Sequence, residues 1–253
     1  MRKINSILFV ILAVIFILPV AATILLSFSV DGSISVQGWV DLLLDCFPFY
    51  PQFWNSVIYA AVITAVQLAV MIPCAFGFSQ AKFKGKGVLF VLYIILMMMP
   101  VQVTILPNYI GLRDMGLINT PFAIILPAIF SPFGVVVMHQ YMKSTDDSVI
   151  EAARLETNSL IRIMLVSVVP QLRVCIFAVL LFVFADCWNM LEQPMLFIHD
   201  AELQTVPVFI SHSGEYAGSV VFPAAVIFLI PVLILYLFFS KDLEKGLTFG
   251  DLS

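Results

Sequence analysis

Asp186 lies within an apolar run, and Trp188 and Asn189 follow it closely. A carboxylate in such a run is costly in lipid and marks a functional site by default. Aromatic and amide groups beside it suit a sugar, whose ring faces stack and whose hydroxyls need hydrogen-bond partners. The competing reading is that Asp186 bonds to a neighbouring helix and Trp188 sits at the membrane interface. Both remain open on the residues alone. Glu192 lies near the outer end of the same span, and Gln102, Asn108 and Asn55 are weaker candidates for a solute pathway, because single amides also serve helix packing. No phosphate-cradling G-x-x-x-x-G-K-[ST] pattern occurs, no nucleophile is paired with a base, and no cluster has metal-ligand spacing. Cys46, Cys74, Cys175 and Cys187 are read as packing residues, and His139, His199 and His212 receive no role.

The elements that must position these groups are membrane helices. Of 253 residues, 62% are hydrophobic and only 11% charged, and the mean hydropathy is +1.08. That composition excludes an ordinary soluble domain. Runs of about 20 apolar residues cross the hydrocarbon core as helices, and six are expected, at 7–29, 53–79, 88–108, 118–142, 171–191 and 219–240. Arg2 and Lys3 precede the first run as they would in a signal peptide, but it continues without a small-residue cleavage site and is read as a retained helix.

Orientation follows from the basic residues, which short cytoplasmic loops retain. Arg2, Lys3, Lys82, Lys84, Lys86, Lys143, Arg154, Arg162, Arg173, Lys241 and Lys245 fall on one side of the expected spans, and Arg113 alone on the other. Both termini are therefore expected in the cytoplasm. The outer loops collect acids (Asp31, Asp41, Asp45, Asp114, Asp200, Glu202, Glu215), and Trp39, Phe47, Phe49, Tyr50, Phe53 and Trp54 fit an interfacial aromatic belt. The net charge of −4 thus says nothing about an acidic partner. Pro73, Pro100, Pro107, Pro121, Pro127, Pro132, Pro223 and Pro231 lie in or at the ends of spans. Each removes a backbone donor and tends to kink its helix, for packing or for opening a pathway.

The longest inner loop has its own logic. Asp146, Asp147 and Ser148 supply helix N-terminal signals. Ile150, Ala153, Leu155, Leu160, Ile163 and Leu165 then interleave with Glu151, Arg154, Glu156 and Arg162. An amphipathic helix lying on the membrane usually has a basic polar face. This face mixes acid and base, and Ala152 with Ala153 leaves a shallow seat, so docking of another protein is the favoured reading.

With Glu151, Ala152 and Ala153 followed by Val169 and Pro170, the loop resembles that of the permease subunits of ABC importers, where E-A-A, three residues and glycine precede a hydrophobic residue with proline. The likeness is nearest to the six-helix second permease of maltose-type carbohydrate importers and covers roughly 53–251. Phe53-Trp54-Asn55-Ser56, Ala81-Lys82-Phe83-Lys84-Gly85, Met99-Pro100 with Gln102, Val103 and Pro107, Gly116-Leu117-Ile118-Asn119-Thr120, Trp188-Asn189 and the Gly246 to Gly250 tail all resemble motifs of that subgroup. The family glycine falls at Thr157, which does not easily take a positive φ, whereas the adjacent Asn158 visits that region more readily. The expectation is that Asn158 preserves the turn.

The resemblance implies an all-α polytopic membrane protein of type I ABC importer permease fold, with six transmembrane helices and a cytoplasmic coupling-helix loop. The expected division is an N-terminal helix and outer loop over 1–52, a core of five helices over 53–240 containing the docking loop 143–170, and a tail over 241–253. Glu151, Ala152, Ala153, Arg154, Thr157, Asn158 and Pro170 would couple to the ATPase, with Gly246 and Gly250 reaching its interface. The implied partners are a second permease, a different chain by family habit, two ATP-binding cassette subunits that hold the ATP and magnesium, and an extracytoplasmic solute-binding protein received by outer loops around 30–52 and 194–218. The chain itself carries no cofactor, binds no nucleic acid and sits in a bacterial or archaeal cytoplasmic membrane. Two alternatives stand beside a sugar importer: a permease for another solute class, and an ion-coupled secondary transporter using Asp186.

Overall fold

The computed structural model describes residues 2–30, 32–144, 148–212 and 218–249. Asp31, Asp146, Asp147, Glu215 and Gly250, which carried expectations above, lie outside that set. The chain is helical almost throughout. In order, α1 is Arg2–Leu26, α2 Phe49–Gln80, α3 Lys86–Met97, α4 Val101–Asp114, α5 Pro121–Ala128 and α6 Phe133–Ser144. Then come α7 Ser148–Glu156, α8 Leu160–Gln171, α9 Arg173–Trp188, α10 Glu192–Phe197, α11 Val206–Ser211 and α12 Val221–Phe249. A small antiparallel hairpin, Ser29–Val30 with Ser33–Ile34, turns at Gly32 (φ +78°). The hydropathy pattern gives no sign of it.

Phe49–Gln80, Pro121–Lys143 and Gly218–Ser240 are each long and apolar enough to cross a bilayer, and two bent pairs raise the number to five. The shorter apolar stretch Val10–Leu26 lies where the remaining span is expected. One expected span is not a single rod. The run 88–108 breaks into α3 and α4, which meet at 98°. Pro100 explains the break: it has no N–H for the ladder, and its ring drives the residue before it out of the helical region. Pro100 itself is extended, at φ −65° and ψ 142°. A second break, at Ile129–Pro132 between α5 and α6, leaves the carbonyl of Ala128 facing a proline four residues on. The buried Gln67 repairs it, its Nε2 donating to Ala128 O at 2.6 Å. Pro121, by contrast, starts α5 at a position where a missing N–H costs nothing.

The long α2 is the centre of the bundle and packs chiefly on α6 and α9. Gly134 lets α6 approach it closely, since a Cβ there would lie 2.3 Å from Met71 Sδ and 3.2 Å from Val179 Cγ1. Three buried clusters follow the height of the bundle. One, at the end bearing α7, joins Met71, Ala75, Met138, Ile150, Ile163 and Leu172. A middle one joins Tyr59, Ile63, Leu112, Ile124 and Phe197. The third joins Leu42, Phe49, Phe209 and Ala224. Phe49 is 2% exposed and belongs to this core instead of an interfacial belt, whereas Phe47, Tyr50 and Trp54 do face outward. Leu18, Phe16, Leu237 and Phe238 stand exposed on α1 and α12, as lipid-facing side chains do. All four cysteines are free thiols, and Cys175 packs in the first cluster.

The outer third cluster depends on a close backbone approach. A Cβ on Gly38 would lie 2.3 Å from the carbonyl oxygen of Ser219, and Ser219 Oγ donates to Asp41 Oδ2 at 3.0 Å. Backbone cannot yield as a flexible side chain does. Gly38→Ala is expected to destabilise the chain by about 1–3 kcal/mol, measured as a lowered thermal unfolding midpoint in mild detergent, while Gly87→Ala, with open space around its Cβ, leaves the midpoint unchanged.

Candidate functional site

Two regions gather the chemistry, one at an end of the bundle and one along its flank. At the end, α7 is a nine-residue helix with Glu151 in its first turn and Arg154 in its last, each complementing the helix dipole. Its seat on the bundle is apolar: Ile150 is buried and Ala153 packs against the same cluster, which includes Ile163 of α8 and Met142 of α6. Arg154 adds a polar tie, its Nη2 donating to Gln80 Oε1 at 3.0 Å at the end of α2. Nearby, Lys86 Nζ donates to the carbonyls of Ser79 and Ala81 and so caps the same helix end. With these contacts made, Glu151 and Ala152 remain exposed and Leu155 is 91% exposed. Leu160 and Ile161 extend the uncovered apolar surface at 60% and 68%.

The turn from α7 to α8 is not made as the sequence suggests. Asn119, at φ 61°, is the one non-glycine residue with positive φ among the described residues, so Asn158 does not take the left-handed conformation. Hydroxyls close the turn instead. The N–H of Ser159 donates to Thr157 Oγ1 at 3.2 Å, and Ser159 caps α8, its Oγ accepting from the N–H of Arg162 at 3.4 Å. Side chains that bond their own backbone make tight turns without glycine. Thr157 therefore serves the turn in the way that its failing as a glycine had obscured.

Beyond that turn, α8 meets α9 at 81° around Leu172, which is 1% exposed. Met164–Val168 is wound as a wider π-type turn immediately before Pro170. A proline cannot continue the regular ladder, and a local widening is how such a mismatch is absorbed. Ile163, Val168, Leu172 and Cys175 bury the inside of the elbow against α2 and α6.

The flank region is a groove beside the break at Pro100. A cavity of about 500 Å³ is lined by Asn108, Asp186, Gln67 and Gln193, among others. A neighbouring one of about 380 Å³ shares Asp186 and Gln193 and adds Gln102, Asn189 and Glu192. Gln102 Nε2 donates to both oxygens of Glu192, at 3.0 and 3.3 Å, bridging α4 to α10. The structure thus brings Asp186, Asn189, Gln102 and Asn108 to one surface.

Two sequence candidates do not belong to that surface. Trp188 is 1% exposed; it stacks on Phe228 at 5.1 Å, and its Nε1 donates to Phe228 O at 2.9 Å. Locked between α9 and α12, it offers no face to a solute. Asn55 donates to the carbonyls of Glu202 and Gln204 at 2.6 and 3.2 Å. It belongs to a row on α2 in which Gln52 reaches Ala201 O, Ser56 accepts from Val206 N and Tyr59 reaches Leu203 O. That row pins the outer loop. Asn119 pins it again: its N–H donates to Phe197 O, and its Oδ1 accepts from the N–H groups of His199 and Asp200, each at 2.9 Å. The left-handed backbone of Asn119 aims this acceptor, a role that its place in a turn motif did not disclose. Gln67 and Gln193 were missed as groove residues because nothing in their sequence neighbourhood sets them apart.

The family of binding-protein-dependent transport system inner membrane components matches residues 69–248, a stretch containing the elbow, α7 and the groove residues other than Gln67. The arabinooligosaccharides transport system permease protein AraQ of Bacillus subtilis is 27% identical over 205 residues, covering 80% of this chain and 73% of AraQ. The trehalose/maltose transport system permease protein MalG of Thermococcus litoralis is 26% identical over 261 residues, 96% of this chain and 94% of its own. A chain in the crystal structure of a bacterial ABC transporter involved in the import of the acidic polysaccharide alginate superposes with a TM-score of 0.81 at 20% identity, over 95% of both chains.

The turn geometry gives a sharp pair of outcomes. Asn158→Val is expected to leave assembly and thermal stability intact, whereas Ser159→Ala removes the cap of α8 and costs about 1 kcal/mol. Parallel unfolding curves of the two variants in detergent check both.

Proposed function

The chain belongs to the family of binding-protein-dependent transport system inner membrane components, and we propose that it forms half of the translocation pathway of an ATP-driven importer of sugars or oligosaccharides. It is a membrane-embedded permease subunit of a binding-protein-dependent importer. The sugar assignment is supported by the named solutes of AraQ and MalG and by a flank groove lined with amides and the carboxylates of Asp186 and Glu192.

The observation that carries the coupling role is the form of α7. It is a short helix seated on the core by Ile150 and Ala153 with Glu151, Ala152 and Leu155 facing out. Such a knob suits a cleft in an ATPase subunit. Closure of two ATPase subunits would press on α7, carry the elbow at Leu172 with it as one unit and tilt α9, which bears Asp186 at the groove and ends at Asn189. Rigid-body rotation of packed elements is a recognised way to convert a local push into alternating access. The remaining assembly follows the same reading: a second permease of different sequence supplies the other wall, and an extracytoplasmic binding protein docks on the outer loops. ATP and magnesium belong to the ATPase subunits. Read as six spans, the chain has both termini on one side, and the asymmetry of basic residues supports the cytoplasmic side, with a core over 53–240 and a tail over 241–253. Family membership favours this account over an ion-coupled carrier built on Asp186.

Copurification in mild detergent tests the reading. The tagged wild-type chain is expected to retain an ATPase and a second permease. Glu151→Lys is expected to lose the ATPase by at least about tenfold while keeping the second permease. A wild-type chain recovered alone, and moving solute in vesicles without ATP, would contradict the importer assignment.

A further inference from the structure

The two cavities along the flank carry carboxylates without a cation among the described residues, and two of their amide oxygens are buried without a donor. Gln67 is 4% exposed and lines the larger cavity. Its Nε2 is held by Ala128 O at 2.6 Å, which fixes the amide and leaves Oε1 buried with no donor. Gln193 lines both cavities, and its Oε1 is likewise buried and without a donor. Asp186, common to both, has no hydrogen bond or ion pair among the described residues. Glu192 accepts only from Gln102. The groups free to donate are all neutral: the Asn108 and Gln193 amides and the Ser131 and Tyr93 hydroxyls. No Lys, Arg or His lines either cavity among the described residues.

A buried acceptor without a donor is costly. A groove holding two of them beside two carboxylates is therefore complementary to a solute that brings donors and positive charge. We infer that this half of the pathway selects saccharides bearing a protonated amine, the amino sugars, and rejects those bearing carboxylates. The inference rests on the saccharide-importer reading and narrows its substrate class. An ammonium group supplies three donors and a charge that Asp186 attracts more strongly in a partly dry groove than in water. A neutral sugar meets the free amide oxygens through its hydroxyls but gains nothing from Asp186. A uronate meets two carboxylates with no compensating cation, and discrimination by unpaired like charge is the stronger half of specificity.

The test uses the whole importer, with its native second permease, ATPase and binding protein, in proteoliposomes. Three labelled disaccharides are offered at pH 6: the glucosamine disaccharide with free amines, its fully N-acetylated form, and digalacturonate. ATP-dependent uptake of the amine form is expected to exceed that of digalacturonate by at least about tenfold. Asp186→Asn is expected to lower the ratio of amine to acetylated uptake by about tenfold, and Asp186→Lys to turn the preference toward digalacturonate. Because Asp186 holds no partner, neither change removes a bond that the fold uses, and copurification of the second permease verifies assembly. Equal or greater uptake of the acetylated or acidic form by wild type, or a ratio unmoved by Asp186→Asn, overturns the charge preference while leaving a sugar importer standing. Uptake of none of the three by a complex that hydrolyses ATP overturns the saccharide reading together with this inference.

Discussion

In a bilayer no water is at hand for a backbone carbonyl that loses its helical donor, and such a group costs several kcal/mol unless protein satisfies it. Prolines at breaks in this chain make that constraint felt where function needs it. Pro132 deprives Ala128 O of its donor, and the buried Gln67 supplies one at 2.6 Å. Pro100 ends a helix and turns the chain by 98° beside the groove. Pro170 follows a widened turn just before the elbow at Leu172. At the first of these breaks a side-chain bond satisfies the freed carbonyl, and at the elbow the packing around Leu172 holds the joint.

Those joints divide the molecule into parts that hold still and parts that can turn together. The outer loop is held by the row Gln52, Asn55, Ser56 and Tyr59 on α2 and by the strained Asn119. The stack of Trp188 on Phe228 joins α9 to α12. At the other end, the cluster around Ile150, Ile163 and Leu172 joins α7, α8 and α9 into one apolar unit. A push on α7 would be carried to α9 through these packed side chains.

Much of this was legible in the sequence because lipid imposes simple rules. Apolar runs revealed the spans, the Glu151 segment revealed a short helix, and Asp186 marked the flank that became the groove. What escaped depended on distant partners. Asn55 reads as a pathway amide until carbonyls 147 and 149 residues away claim it. Trp188 reads as a sugar platform until Phe228, 40 residues on, covers it. The continuous run 88–108 hides a right-angled break, since hydropathy records composition and not direction. Thr157 reads as a defect in a glycine turn, yet its hydroxyl closes the turn by another route.

The central claim is that α7 and α9 move as one body when the ATPase works. Spin labels at Glu156 and Phe182, both exposed, in the reconstituted importer measure it directly by pulsed electron resonance, in the resting state and trapped with ATP and vanadate. The account predicts an intrachain distance that stays within the resting distribution, while reactivity of a cysteine placed at Asn189 changes between the two states. A distance that shifts on trapping with unchanged reactivity at Asn189 would show α7 moving by itself, and would contradict coupling through the elbow.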